Sequence, residues 1–213
     1  MKEEKGKKMK LLKYDIKFDT FTKKGIKSKE TPWGNYMITG FQGSGKTYFS
    51  CFLLLDLLKK YKPTYIFTNI KSLKLEKKNL NYFTYLDEIT NQTFEHSIYI
   101  IDELSKKYTK NSPQDKKLYS WLQQSRKRGR IVILITQEWK EVPMWLRRPI
   151  RFAYTTRKLG NLPYFITTKG DALNMQYDLN TNEWVCPVLE YIIYKRNKSV
   201  ASLYDTFEPI NDL

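Results

Sequence analysis

The rhythm of apolar and polar residues changes several times along the chain, and each change marks an element. Residues 1–32 are polar and lysine-rich, with one alternating stretch over Leu12–Phe21 that predicts a strand or hairpin. After Trp33-Gly34-Asn35, a short apolar segment (Tyr36–Thr39) runs straight into the glycine-rich stretch Gly40–Gly45. Lys46–Tyr61 is apolar almost all round, the pattern of a buried helix, and it ends before Pro63. Thr64–Asn69, rich in β-branched and aromatic residues, predicts a strand, whereas Lys71–Asn91 is mixed and reads only as a crossing over a sheet edge. Ser97–Ile101 is an almost wholly apolar strand ending at Asp102-Glu103. Pro113–Lys127 reads as a helix with Gly129 as its stop. Ile131–Ile135 is purely aliphatic, as a parallel strand covered on both faces must be, and Phe152–Thr156 gives a fifth strand. Past Arg157 the pattern shortens around Gly170-Asp171 and Asn180–Asn182, which predicts hairpins appended to the core.

Strands and helices alternating at this length imply an α/β fold, a parallel sheet flanked by helices. Three regions follow: a basic arm over residues 1–32, a core over 33–157 and a C-terminal appendage over 158–213. A chain of 213 residues is long enough to bury such a core.

The segment Gly40-Phe41-Gln42-Gly43-Ser44-Gly45-Lys46-Thr47 fits the Walker A pattern in full. Its glycines let backbone N–H groups curl round a β-phosphate, and the helix that follows adds its positive end. Lys46 would reach the β- and γ-phosphates, Thr47 would ligate Mg²⁺, and Gly40, Gln42, Gly43, Ser44, Gly45 and Tyr48 complete the nucleotide-binding set. The pattern arises by chance in about 1% or fewer of random chains of this length, and here it also has the strand before it and the helix after it. ATP with Mg²⁺ is therefore the expected ligand.

A second element is Ile98-Tyr99-Ile100-Ile101-Asp102-Glu103. An apolar strand ending in Asp puts a carboxylate where it can hold Mg²⁺ through water, and Glu103 beside it is the natural general base for the attacking water. A third is Ile131–Ile135 followed by Thr136-Gln137, a polar pair in the crevice of an open α/β sheet, where Gln137 can sense the γ-phosphate or orient the water.

Charge adds a partner. The chain carries 38 Lys and Arg against 22 Asp and Glu, a net charge of +16. A surface this basic faces a polyanion, most often nucleic acid, and the charge is clustered. Lys106, Lys107, Lys110, Arg130, Arg147 and Arg148 are the candidate DNA contacts, suited to phosphates rather than to base readout. Trp121, Trp139 and Trp145 could stack on bases or pack in the core. Cys51, Cys186 and the single His96 have no metal-ligand spacing, which argues against a zinc site or a disulfide framework. No signal-peptide core or membrane-length apolar run is present, so the sequence leads us to expect a soluble, intracellular protein.

These residues resemble the HerA–FtsK superfamily of P-loop ATPases, and within it the Zot-like proteins and viral genome-packaging ATPases. The resemblance runs from Tyr36 to Arg157 and rests on Gly40–Thr47, Ile98–Glu103 and Ser125–Gln137. Val142–Arg148 and Tyr204–Phe207 are similar to segments of the Zot-like members. It implies the additional-strand, catalytic-glutamate sheet, and a homo-oligomeric ring, expected to be hexameric, around DNA. An arginine would complete the neighbouring subunit's site; Arg126 and Arg128 are the candidates, though both also suit a solvated helix end. Zot-like proteins usually continue into a membrane-spanning segment and a further domain. Neither is in this sequence, so the expectation is a packaging motor for double-stranded DNA, in the host cytoplasm or virion and docked on a capsid-vertex protein. The alternatives are a filamentous-phage assembly ATPase acting on single strands at a membrane, and a nucleotide-gated DNA-binding scaffold without turnover.

Overall fold

The aliphatic runs become strands without a solvent-facing side, and these form the middle of one large sheet. The computed structural model describes residues 9–11, 14–16, 19–22, 32–75, 79–104 and 113–205. In chain order the strands are β1 (Met9–Leu11), β2 (Tyr14–Ile16), β3 (Asp19–Thr22), β4 (Gly34–Thr39), β5 (Tyr65–Thr68), β6 (Leu80–Tyr82) and β7 (Ser97–Ile101). They continue with β8 (Ile131–Ile135), β9 (Ile150–Lys158), β10 (Tyr164–Asp171), β11 (Gln176–Asp178), β12 (Glu183–Val185) and β13 (Val188–Lys195). The helices are α1 (Lys46–Lys60), α2 (Leu86–Thr90), α3 (Pro113–Gln123), α4 (Met144–Arg147) and α5 (Lys198–Ala201).

Nine strands join in the order β3-β13-β10-β9-β4-β8-β7-β5-β6. From β9 to β6 every pairing is parallel; β10, β13 and β3 then extend the sheet antiparallel. Strand β8 thus lies between the phosphate-loop strand β4 and the acidic strand β7, the additional-strand arrangement expected. The parallel run puts the carboxyl ends of β4, β7, β8, β9 and β5 on one rim, where ligands of open α/β sheets bind.

Two apolar layers hold the sheet. On one face α1 packs through Phe49, Phe52 and Leu54 against Ile38, Ile100, Ile133, Tyr154, Phe165 and Tyr194. On the other, Leu118, Trp121 and Leu122 of α3, Ile89 of α2 and Leu146 of α4 cover Met37, Tyr99, Val132 and Leu134. Beyond α3 the chain turns at Gly129, whose φ of 60° is the left-handed value expected of a helix stop.

The C-terminal region differs from the expectation in one respect. The hairpin around Asn180–Asn182 is present as β11–β12. The strands flanking it are not appended, because β10 pairs along the length of β9, and β13 along β10. A boundary at residue 157 would therefore fall inside β9. The pattern misled because each strand there is buried on one side only, and alternation alone cannot say which sheet it belongs to. The stretch Leu12–Phe21 holds strands β2 and β3 but not a hairpin of its own: β2 pairs back with β1 at Met9–Leu11, and β3 pairs with β13 and ties the arm to the edge of the large sheet. Among the described residues, no helix is long and apolar enough to cross a membrane.

Tyr194 of β13 measures how far these strands belong to the core. It is 1% exposed, and its ring centroid lies 5.9 Å from Tyr48, 5.7 Å from Phe49, 5.5 Å from Phe52 and 5.5 Å from Phe165. Tyr194→Ala is expected to lower the unfolding free energy by about 3–5 kcal/mol in urea titrations, the cost of emptying an aromatic core site. A change below about 1 kcal/mol would make the strand peripheral.

Candidate nucleotide site

Strand β4 delivers the chain to a tight loop that only glycine can complete. A Cβ on Gly40 (φ 151°) would lie 2.4 Å from the Thr156 carbonyl oxygen and 2.5 Å from Ser44 Oγ. One on Gly45 (φ 91°) would lie 2.6 Å from the Phe165 ring. Both positions combine a left-handed backbone with a close neighbour. The loop is braced from both flanking strands. Gly40 N donates to the Gln137 carbonyl (2.8 Å), the Ser44 and Thr156 hydroxyls are 3.2 Å apart, and Thr156 Oγ1 donates to the Thr39 carbonyl (3.3 Å). Lys46 Nζ folds over the loop onto the carbonyls of Gly40 (2.8 Å) and Phe41 (3.2 Å). Burial lowers its pKa, and the carboxylates of Asp102 and Glu103 act in the opposite sense.

The acidic strand end meets this loop directly. Thr47 Oγ1 donates to Asp102 Oδ2 at 3.0 Å, and Asp102 Oδ1 accepts the Glu103 N–H at 2.8 Å. Burial raises the Asp102 pKa, against the pull of these two hydrogen bonds. Asn69, just past β5, brackets the same residue. The Asp102 N–H donates to Asn69 Oδ1 (2.8 Å), and Asn69 Nδ2 donates to the Asp102 carbonyl (3.0 Å). Glu103 follows at φ 54°, a left-handed conformation costing a non-glycine residue about 1–3 kcal/mol unless its surroundings enforce it. The amide clamp one residue earlier supplies part of that enforcement.

Gln42 and Gly43 are exposed on the loop, and Gln137 is exposed at the end of β8 on the same rim. The Tyr48 side chain is turned away. Its ring stacks on Phe165 and Tyr194, and its hydroxyl accepts the Asn197 N–H, so only its backbone amide in the first helical turn is left for a phosphate. Arg126 and Arg128 lie before β8, at the opposite rim, a strand's length from the phosphate loop of their own chain. Arg128 is half-buried and pairs with Gln124 (3.2 Å) and Glu95 (4.0 Å).

Two expected DNA contacts are corrected. Arg130 is 1% exposed, donates to the Phe94 (2.8 Å) and Gln92 (3.2 Å) carbonyls, and stacks over Trp121. Arg147 is 8% exposed, donates to the Val142 (2.7 Å) and Lys140 (2.8 Å) carbonyls, and stacks over Trp139. Both guanidinium groups satisfy backbone carbonyls inside the fold and offer no phosphate-binding surface. Arg148 is exposed; Lys106, Lys107 and Lys110 lie outside the described residues. Trp121 is buried in the core, and Trp139 and Trp145 pack against the same cluster.

The donor set fits a magnesium–nucleotide. Among the described residues, no cluster of three or more His, Cys, Asp or Glu could hold a metal. Mg²⁺ needs none, since it is held by one or two protein oxygens with triphosphate oxygens and water. Thr47 Oγ1 and the buried Asp102 carboxylate are such oxygens, and a cation there would offset the cost of burying that charge.

Two substitutions follow from this geometry. Asn69→Ala is expected to leave nucleotide affinity within about threefold and to lower kcat at least about tenfold, because it removes two hydrogen bonds from the peptide that aims Glu103. Fluorescent-nucleotide binding and steady-state turnover separate the two effects, and equal losses in both would make Asn69 merely structural. An acid whose folded pKa is raised costs stability above that pKa, and the cost disappears as pH falls below it. Asp102→Asn, neutral at every pH, should therefore melt no lower than wild type at neutral pH without nucleotide, yet fail to bind ATP in a Mg²⁺-dependent way.

The profile of the family described as zonular occludens toxin (Zot) matches residues 35–199, well over half of the chain. No sequence among the curated proteins matches significantly. Among solved structures, the N-terminal domain of zonular occludens toxin from Neisseria meningitidis is similar at a TM-score of 0.55 and 21% identity, covering 81% of this chain and 98% of that one. The genome-packaging NTPase of Sulfolobus turreted icosahedral virus 2, solved with sulfate, is similar at a TM-score of 0.50 and 14% identity, covering 74% and 97%. At these identities the likeness is one of fold. With the loop, the acidic strand end and the strand order in place, the chain belongs to the Zot family and has the P-loop NTPase fold.

Proposed function

We propose that this protein is a Mg²⁺-dependent ATPase that couples hydrolysis to the movement of DNA. The observation that carries the reading is the 3.0 Å hydrogen bond from Thr47 to Asp102, with Glu103 next in the chain. One junction thereby holds a phosphate cradle, two metal-facing oxygens and a carboxylate for water. On this reading Lys46 exchanges the loop carbonyls for the β- and γ-phosphate oxygens and balances their charge. Glu103 takes the proton from the attacking water, and Gln137 faces the same rim. Mg²⁺, when bound with ATP, supplies charge neutralisation at the transferring phosphoryl group.

The DNA half of the proposal rests on the net charge of +16 and on the fold shared with a viral genome-packaging NTPase. It favours a ring that packages double-stranded DNA, in the host cytoplasm or on the virion. A second reading, assembly of a filamentous phage on single-stranded DNA at a membrane, is favoured by the Zot family match. In either ring Arg126 and Arg128, placed away from their own loop, could act only on the nucleotide of a neighbouring copy.

Lys46→Ala should abolish ATP turnover and leave the circular dichroism spectrum unchanged, since the ammonium lies on the loop rather than in the core; unchanged turnover would remove the phosphate assignment. Glu103→Gln should bind ATP and turn over about 100- to 10,000-fold more slowly, the usual loss on removing a general base. Stimulation of turnover by duplex against single-stranded DNA separates the two motor readings.

A further inference from the structure

The two faces of the sheet are not covered to the same extent. On the α1 side the apolar layer reaches from Ile66 in β5 to Ile192 and Tyr194 in β13. On the other side α2, α3 and α4 cover the parallel strands as far as Ala153 of β9, and Ala172 and Cys186 carry that layer onto the Gly170 end of β10. Beyond it the second face of β9, β10 and β13 carries no helix among the described residues. Cross-strand register puts Arg157, Ile166 and Ile193 in one row of this face, and Tyr164 beside Lys195 in the next. Tyr191 continues the face, where it is 46% exposed, while Tyr164 is 38% exposed. Arg157 and Lys195 are exposed, and Lys195 Nζ lies 6.0 Å from the centre of the Tyr164 ring.

The charge carried by the strands of this face is mostly positive. Residues 157–170 and 191–204 include Arg157, Lys158, Lys169, Lys195, Arg196 and Lys198 and contain no Asp or Glu. Glu190, the nearest acid along β13, shares the α1 side with Ile192 and Tyr194 by strand alternation. A face whose β9, β10 and β13 positions bring cations and exposed aromatic rings, and whose one acidic position is Asp19 on the edge strand β3 in register with Ile193, complements a sugar–phosphate backbone better than it complements an ordinary protein surface.

We propose that this open face of β9, β10 and β13 is the DNA platform of the protein, with Arg157 and Lys195 on phosphates and Tyr164 and Tyr191 against sugars or bases. The proposal rests on the DNA-motor reading above and supplies it with a surface, in place of the buried Arg130 and Arg147. It also gives a route from DNA to nucleotide. Thr156, next to Arg157 in β9, holds Ser44 of the phosphate loop at 3.2 Å, and the Thr155 hydroxyl is 3.2 Å from that of Thr39. A shift of β9 under a DNA load would be felt in the loop through these two contacts.

The test is the salt dependence of binding by the full-length chain to labelled short oligonucleotides, single-stranded and duplex, read by fluorescence anisotropy. Arg157→Ala/Lys195→Ala should bind more weakly and reduce the slope of log K against log salt by about 1.4 on single strands or 1.8 on duplex, the loss of two phosphate contacts. Lys62→Ala/Lys116→Ala, which removes the same charge elsewhere, should keep the wild-type slope. Tyr164→Ala/Tyr191→Ala should weaken binding further at fixed salt. All these side chains are exposed or partly exposed, so melting temperatures serve as the folding control. A wild-type slope in Arg157→Ala/Lys195→Ala would overturn the platform. So would a variant that changes the sedimenting mass while keeping that slope, because a second copy of the chain would then cover the face. Failure of wild type to bind either oligonucleotide would instead remove the DNA half of the proposed function.

Discussion

The rest of the site depends on one constraint: the hydroxyl at the start of α1 must meet the carboxylate at the end of β7 across an intervening strand. Thr47 and Asp102 meet at 3.0 Å although β8 separates β4 from β7 in the sheet. That contact needs the parallel register of three strands to end on one rim, and it needs α1 to leave the loop over β8 rather than beside it. The wholly buried β4, β7 and β8 carry that register in unbroken parallel pairings, Ile38 with Ile135 and Ile101 with Leu134 at the rim. The packing of α1 on Ile38, Ile100 and Ile133 fixes where the helix begins.

Around this junction the structure carries costs that packing alone does not require. A buried carboxylate has its pKa pushed up, a half-buried lysine has its pKa pushed down, and a glutamate is held at φ 54°. Local structure that opposes its own stability gathers at functional sites, because the arrangement is complementary to a ligand rather than to itself. Asn69 and Thr156 stand behind these groups. One fixes the peptide of Asp102 and the other fixes Ser44, and neither needs to touch a nucleotide to matter.

Much of this was legible before any coordinates. The glycines of the phosphate loop are dictated by backbone geometry, so spacing alone identified them. Ile131–Ile135 and Ser97–Ile101 announced buried parallel strands by having no polar side. Asn69 was legible in principle: Thr68-Asn69 is a polar pair closing a buried strand, the same signature that singled out Thr136-Gln137. Thr156 was not, since only cross-strand register brings it to Ser44. Charge counting erred at Arg130 and Arg147 for a definite reason. A guanidinium has five N–H donors and a flat apolar face, so it can satisfy inward-facing carbonyls and stack on tryptophan as readily as it binds phosphate. The exposed cations of β9 and β13, Arg157 and Lys195, share a face only through cross-strand register with β10, which sequence spacing does not carry.

The coupling between the two halves of the junction can be measured as a double-mutant cycle on Mg²⁺-dependent ATP affinity, using Thr47→Val, Asp102→Asn and the pair. If the two groups hold one cation, the losses should be strongly non-additive, with an interaction energy of at least about 1 kcal/mol. Losses that add within about 0.5 kcal/mol would mean the two side chains act independently, and the account of a shared metal–nucleotide site would be wrong.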